Sequence, residues 1–515
     1  MVPAKSRDWP YDKKADIYMT ETTKPRKAIE SFKETIEQLV IAFILAFVFR
    51  AFVVEAFVIP TGSMADTLRG AHFRLTCCEC GWRYNFGFDA QNYGYPKGVL
   101  PSRPLNIPAP RLNAGGIPIC PLCGTPADTS YPRRTSNGDR ILVQKYLYQF
   151  VEPHRWDVVV FKNPTLPGED HFIKRLVGRP GETIEIIDGD IYIDGDIQRK
   201  PRHVQDALWI PAYHSDYTRS GATGETADIW QRPFRPARPD SEWDTQSNKH
   251  RFVFNGSSQF DRLEFDYRRI RKFALSFCAY NGQRYDDKAI VSDLKLAFLL
   301  TPNADQGRVS VLLGKYGRIY RADIDFDGTC TITDEHRGRI LQQGRLAPLP
   351  QDRPVEVAFA NVDHQLLLRV GKQKLDYAEP LEWGYDPKNY FQLPSVTLAA
   401  IGGALTMEHI VLSRDVYYTD AVHSGGPGRA SMGHPFQLKD NEFFVLGDNS
   451  PVSHDSRFWK KPPLANGTQQ YRAGIVPRDY LVGRALLVYW PGGFFPSPNT
   501  RFGLIPNVGE MRFIY

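Results

Sequence analysis

The chain has 515 residues, too many for one hydrophobic core, so two or three domains are expected. Apolar residues at 42% and charged residues at 24% exclude a largely disordered chain. A net charge of only +6 argues against a dedicated nucleic-acid binder, which would concentrate a basic face.

Gly and Pro turn signals abound, alternating segments dominate and long amphipathic helices are few, so the soluble part is expected to be mainly β. The first element is the exception. Residues 36–54 read "IEQLVIAFILAFVFRAFVV", with an uninterrupted apolar run of 11 residues at 39–49. Extending it through Arg50, whose long side chain can snorkel, reaches roughly the 20 residues that a bilayer requires. A buried soluble helix and a cleaved signal peptide are alternatives. An uncleaved anchor at 35–54 is preferred, because no small-x-small cleavage site follows and the next motif carries chemistry. Residues 1–34 hold eight Lys/Arg and residues 51–68 none. The tail is therefore expected to be cytoplasmic and the body external.

Immediately after comes "FVIPTGSMADTL" (57–68). Alone, Ser63 reads as a linker or cap residue. Residues 71–133 contain Cys77-x2-Cys80 and Cys120-x2-Cys123, each pair followed by glycine, with 39 residues between the pairs. Such turns can present four thiolates to one tetrahedral ion, as in a zinc ribbon with a long internal loop. Two disulfides are the alternative, and Cys78 could replace Cys77. Four thiolates leave no open position, so the zinc would be structural. Cys278 and Cys330 lie far from this group.

Three further stretches stand out. "NGDRILVQKYLYQF" (137–150) alternates like a strand. "RWDVVVFKNP" is followed by "HFIKRLVGRPGETIEI" (171–186), where Lys174 sits in an apolar setting before a Pro-Gly turn. "FFVLGDNSPVSHDSRFW" (443–459) is a strand running into a polar loop. Between the last two, residues 204–431 carry alternating segments at 308–326, 354–375 and 396–419. They are similar to concanavalin-like β-sandwich (jelly-roll) domains. Carbohydrate or cell-wall binding is one reading of this insertion; a spacer or substrate-shaping role is the other. If it were merely accessory, its deletion would leave the remaining chemistry intact.

The chemistry begins from a simple need. A serine hydroxyl is a weak nucleophile and requires an adjacent base. No histidine stands in a triad context, but a lysine can serve if desolvation brings its pKa from about 10.4 toward neutrality. The apolar residues around Lys174 could supply that pocket, provided Arg175 points to the other side of the strand.

Taken in order, the membrane-length run, the Ser-Met box, the "GDR" strand, the "IKR" box and the "GDN…DSR" loop resemble the bacterial type I signal peptidase (leader peptidase) family. The resemblance covers about 36–70, 136–200 and 436–490. It implies that Ser63 attacks the scissile carbonyl with Lys174 as general base. It also implies that Ser453 hydrogen-bonds the lysine, and that the Thr61 hydroxyl and Ser63 N–H form the oxyanion hole. Asp455 and Arg457 would pair to hold the last loop, and Asp448 and Asn449 would shape its turn. Three departures appear: Thr61 where serine is common, Ser450-Pro451 where an arginine usually follows "GDN", and "RWD" (155–157) where "RGD" is typical.

The implied fold is a mainly β, signal-peptidase-type domain (55–70, 134–203, 432–515) behind a cytoplasmic tail (1–34) and an anchor (35–54). A zinc-ribbon-like insertion (71–133) and a sandwich insertion (204–431) interrupt it. The implied activity is removal of signal peptides from exported preproteins after small residues, at the plasma membrane, with no catalytic cofactor. The expected partners are preproteins and the lipid bilayer, not nucleic acid. A regulatory Ser-Lys protease like the self-cleaving repressors, and a non-catalytic surface protein using the sandwich for glycan or partner binding, are the competing readings.

Overall fold

The computed structural model describes residues 24–52, 54–96, 98–107, 117–164, 171–218, 232–248, 250–267, 275–276, 279–280, 289–378, 392–419, 427–462, 464–465, 469–493 and 505–515. Most of the basic tail and Cys278 lie outside them. The chain divides into two units, Met1–Val54 and Glu55–Tyr515.

Within the first unit, described residues form a helix, α1 (Lys24–Phe52), 29 residues long. Its apolar side chains are exposed all round: Leu39, Val40, Ile41, Phe43, Ile44 and Leu45 are each 48–62% exposed. Among the described residues no helix is long and apolar enough to cross a membrane. The helix expected at 35–54 is thus present, while the span itself is not shown.

The second unit is built from β-sheets, as expected. Its central sheet uses β1 (Val54–Val58), β2 (Arg140–Lys145), β3 (Val158–Phe161), β4 (Phe172–Gly178), β5 (Glu442–Leu446), β6 (Val476–Pro477), β7 (Leu481–Trp490) and β8 (Arg512–Phe513). The order is β1-β2-β7-β3-β4-β5-β6, with β8 on β7. The run Val158–Phe161 is apolar throughout because both faces of β3 are buried. Val158 and Val160 pack with Ile59, Met64 and Leu68. Val159 and Phe161 pack on the other face with Leu176 and Trp459. The antiparallel register sets Val159 opposite Lys174 and Val158 opposite Arg175.

The cysteine-bearing stretch adds a three-stranded sheet of His72–Thr76, Arg83–Gly87 and Thr135–Ser136. Between residues 210 and 414 two larger sheets, of eight and seven strands, face each other. The strand Leu294–Pro302 alternates buried and half-buried positions without a break. Its Leu294, Leu296, Phe298 and Leu300 share one core with Val309, Val311 and Leu313 of the opposing sheet. That period of two is the signature of a β-sandwich.

Candidate active site

Ser63 lies in the tight turn that leaves β1, and Lys174 lies mid-strand in β4, 111 residues later. The Lys174 Nζ donates to Ser63 Oγ at 2.7 Å and to the Ile173 carbonyl at 3.0 Å. Met64 beside the serine is fully buried, which pins the turn to the core while Ser63 stays half-buried. Lys174 is 5% exposed. Burial pushes its ammonium down to about 8; the Asp455 and Asp448 carboxylates pull partly against that shift, and Arg457 adds to it. An amine so placed can accept the serine proton near neutral pH.

Arg175 does turn away from the serine, as strand alternation requires, but it is buried, not exposed. Its Nε and Nη2 donate to the two oxygens of Asp448, each at 2.8 Å. Its Nη1 donates to the Trp156 and Tyr515 carbonyls at 2.8 and 2.7 Å. Asp448 also accepts from the Thr67 hydroxyl at 2.6 Å, tying the last loop to the segment after the serine. This ion pair was not foreseen; adjacent Lys-Arg on an otherwise apolar strand was the available signal.

Asn449 does more than shape a turn. Its backbone N–H donates to the Ser63 carbonyl at 3.0 Å and its Nδ2 to the Gly62 carbonyl at 2.9 Å. Gly447 is required for proximity: a Cβ there would fall 2.5 Å from the Ser63 carbonyl oxygen and 2.2 Å from Ser453 Oγ. The "GDN" tripeptide thus grips the nucleophile's own backbone.

Asp455 and Arg457 form the expected pair, both fully buried, at 2.8 Å (Nε–Oδ1) and 2.7 Å (Nη2–Oδ2). Burial pushes the Asp455 carboxyl up, but the Arg457 guanidinium and the Gly447 N–H outweigh it and hold the group below its ordinary value. Ser450 takes up the departure after "GDN": Arg457 Nη1 donates to its hydroxyl at 2.7 Å, and the Thr419 N–H donates to the same oxygen at 2.9 Å. Pro451 sits in the first turn of a short 3₁₀ helix, Ser450–Val452, where its missing N–H costs nothing. The loop is supported without an arginine directly after "GDN", by Arg457 and Thr419 instead.

One expectation is corrected. The Ser453 hydroxyl is buried and is not among the groups that Lys174 Nζ bonds, which are Ser63 Oγ and the Ile173 carbonyl. It lies beside Gly447 and is turned toward the Asp455 carboxylate, which it helps to hold below its ordinary value. Thr61 is exposed, two residues before Ser63.

The four cysteines Cys77, Cys80, Cys120 and Cys123 converge, with all sulfurs within 4.8 Å of one another. Cys77–Cys123 and Cys80–Cys120 are 3.5 and 3.6 Å apart, and the four thiols are free in this structure. The two turns are equivalent: Gly81 N–H donates to Cys77 O and Gly124 N–H to Cys120 O, each at 3.0 Å. Both glycines have φ near +75°, which favours glycine. Cys78 points outward and is exposed, which decides between it and Cys77.

A family model described as "Signal peptidase, peptidase S26" matches residues 126–225 and 416–490, about a third of the chain. Lys174 and the last loop fall inside these segments; Ser63 lies outside them. Signal peptidase I V of Bacillus subtilis (strain 168) is 34% identical over 91 residues, 17% of this chain and 51% of that protein. Probable signal peptidase I-1 of Synechocystis sp. is 40% identical over 98 residues, 17% of this chain and 50% of that protein. The chain thus spans about half the length of these curated relatives. Among solved structures, a carbohydrate binding module from Bacillus subtilis aligns over 35% of this chain and 94% of its own, at 8% identity and a TM-score of 0.23, too weak a likeness to carry an argument.

Proposed function

We propose that this chain is a serine endopeptidase of the signal peptidase I type, with Ser63 as nucleophile and Lys174 as general base. The observation that carries the reading is the 2.7 Å approach of a buried, pKa-lowered amine to a serine hydroxyl. The relatives' names and the matched family segments point the same way.

In the reaction, neutral Lys174 takes the Ser63 proton as Oγ adds to the scissile carbonyl. The resulting ammonium then donates its proton to the leaving amine, and the acyl-serine remains. Water, deprotonated by the same amine, attacks the ester and restores Ser63. The Ser63 N–H and the Thr61 hydroxyl are assigned to the developing oxyanion. Asp455–Arg457 and Asp448–Arg175 hold the loop and the strand on either side of the lysine. Substrates would be exported preproteins with small residues one and three positions before the cut.

The anchor belongs to the proposal. The apolar run at 39–49 of α1, whose described side chains are exposed, together with a basic tail before it, suits the bilayer better than water. It would hold the body on the external side of the plasma membrane, where signal peptides emerge. The cysteine cluster would hold one structural zinc: Zn–S bonds of about 2.3 Å in a tetrahedron place sulfurs about 3.8 Å apart, close to the separations found. The supported Ser450 loop weighs against a non-catalytic surface protein.

The test is cleavage of a signal-bearing preprotein by purified protein in detergent. Ser63→Ala and Lys174→Ala should each abolish it; substantial activity in either variant would refute the assignment.

A further inference from the structure

Two residues of the insertion, Ala279 and Tyr280, lie against the nucleophile's turn. On either side of them in sequence, Leu275 bridges Ile290 and the Ser276 N–H donates to the Ala289 carbonyl at 2.8 Å. The Ala279 N–H donates to Asn449 Oδ1 at 3.2 Å. Because that oxygen is engaged, the Asn449 amide must turn its Nδ2 toward the Gly62 carbonyl, where it is found. Tyr280 is 9% exposed. A Cβ added to Gly62 would fall 2.2 Å from its Cε2, and one added to Gly87 of the cysteine-bearing sheet 2.6 Å from its Cδ2. Its hydroxyl donates to the Gly70 carbonyl at 3.4 Å, and its ring stacks near His72 at 6.2 Å between centroids.

We propose that Ala279 and Tyr280 are positioning residues for Ser63, so that the sandwich insertion completes the peptidase site. Asn449 holds the Gly62 and Ser63 carbonyls from one side; the Tyr280 ring closes over Gly62 from the other, and Ala279 fixes the rotamer of Asn449. The absence of side chains at Gly62 and Gly87 leaves a slot that the ring fills. Without it, the turn carrying Ser63 loses its outer wall and can drift from the 2.7 Å approach to Lys174. A misplacement near 1 Å is enough to cost about 100-fold in rate. A purely accessory role for residues 204–431 is incompatible with this clamp, and their deletion should lose the activity. The inference rests on the peptidase reading, so its test includes a measurement independent of activity.

Tyr280→Ala in the full-length protein should lower kcat for preprotein cleavage about tenfold or more with KM within about twofold. Tyr280→Phe, which keeps the ring, should restore kcat. Amide hydrogen exchange across residues 61–68 should quicken in Tyr280→Ala and not in Tyr280→Phe. Unchanged kcat together with unchanged exchange would overturn the proposal. A raised KM at constant kcat would also overturn it, in favour of a substrate contact. Should Tyr280→Ala fail to melt cooperatively, Tyr280→Leu decides by the same two readouts. If wild-type protein proves inactive on preproteins, the peptidase reading fails, and the exchange arm still judges the clamp.

Discussion

Replacing Lys174 by methionine should reverse the sign of a stability difference between neutral and alkaline pH. In the folded protein the amine titrates at about 8, against an ordinary value of 10.5. Since the folded state disfavours the charged form, the penalty is complete below pH 8, shrinks as pH rises to 10.5, and is gone above. At about 1.4 kcal/mol per unit it amounts to about 3 kcal/mol. Lys174→Met removes the penalty together with two hydrogen bonds, to Ser63 Oγ and Ile173 O, worth about 1 kcal/mol each. The variant should therefore be about 1 kcal/mol more stable than wild type at pH 7 and about 2 kcal/mol less stable above pH 10.5. Urea unfolding at both pH values measures this directly. A difference that does not change with pH would show that Lys174 is not desolvated, and the base assignment would lose its physical ground. Activity should follow the same group. At pH 7 about a tenth of the amine is neutral, so kcat/KM should rise with pH and level off above about 8. A midpoint near 10.5 would count equally against the account.

Three other outcomes follow from the same geometry. Asp455→Ala leaves the Arg457 guanidinium buried without its counter-charge. It should destabilise by about 3–5 kcal/mol in urea unfolding, and a loss under 1 kcal/mol would refute the view that this pair holds the loop. Metal analysis should find about one zinc per chain, lost with a drop in Tm on treatment with a strong chelator or in Cys120→Ser; no zinc in freshly purified protein would rule out the ribbon. Full-length protein should fractionate with membranes and resist salt extraction, whereas a chain lacking residues 1–54 should be soluble; equal partitioning of the two would remove the anchor.

Ser63 and Lys174 were singled out by the resemblance, since each alone reads as a linker serine and a strand lysine. The chemistry, a hydroxyl that needs a base and a lysine that serves only when desolvated, made the pairing intelligible, and the structure brings the two within 2.7 Å. The strands around them were legible from alternation and from the Val158–Phe161 run. Side-chain partners were less so. Ser453 was assigned to the lysine by resemblance, yet its hydroxyl lies beside Gly447 and is turned toward the Asp455 carboxylate. The cost of the Ser450 departure was judged from one position, whereas its hydroxyl is compensated by Thr419 and Arg457 from elsewhere in the chain. Spacing favoured Cys77 over Cys78 without excluding the latter; the fold decides, since Cys77 is buried in the cluster and Cys78 is exposed. Tyr280 was illegible, because its role comes from two glycines in other segments, and nothing in its own neighbourhood marks it.

The most direct test of the central claim is to identify by mass spectrometry the bond that the purified protein breaks in an exported preprotein. The account predicts a single cut after a small residue, with another small residue two positions earlier, and no product from Ser63→Ala. An uncleaved preprotein, or the same cut made equally well by Ser63→Ala, would contradict it.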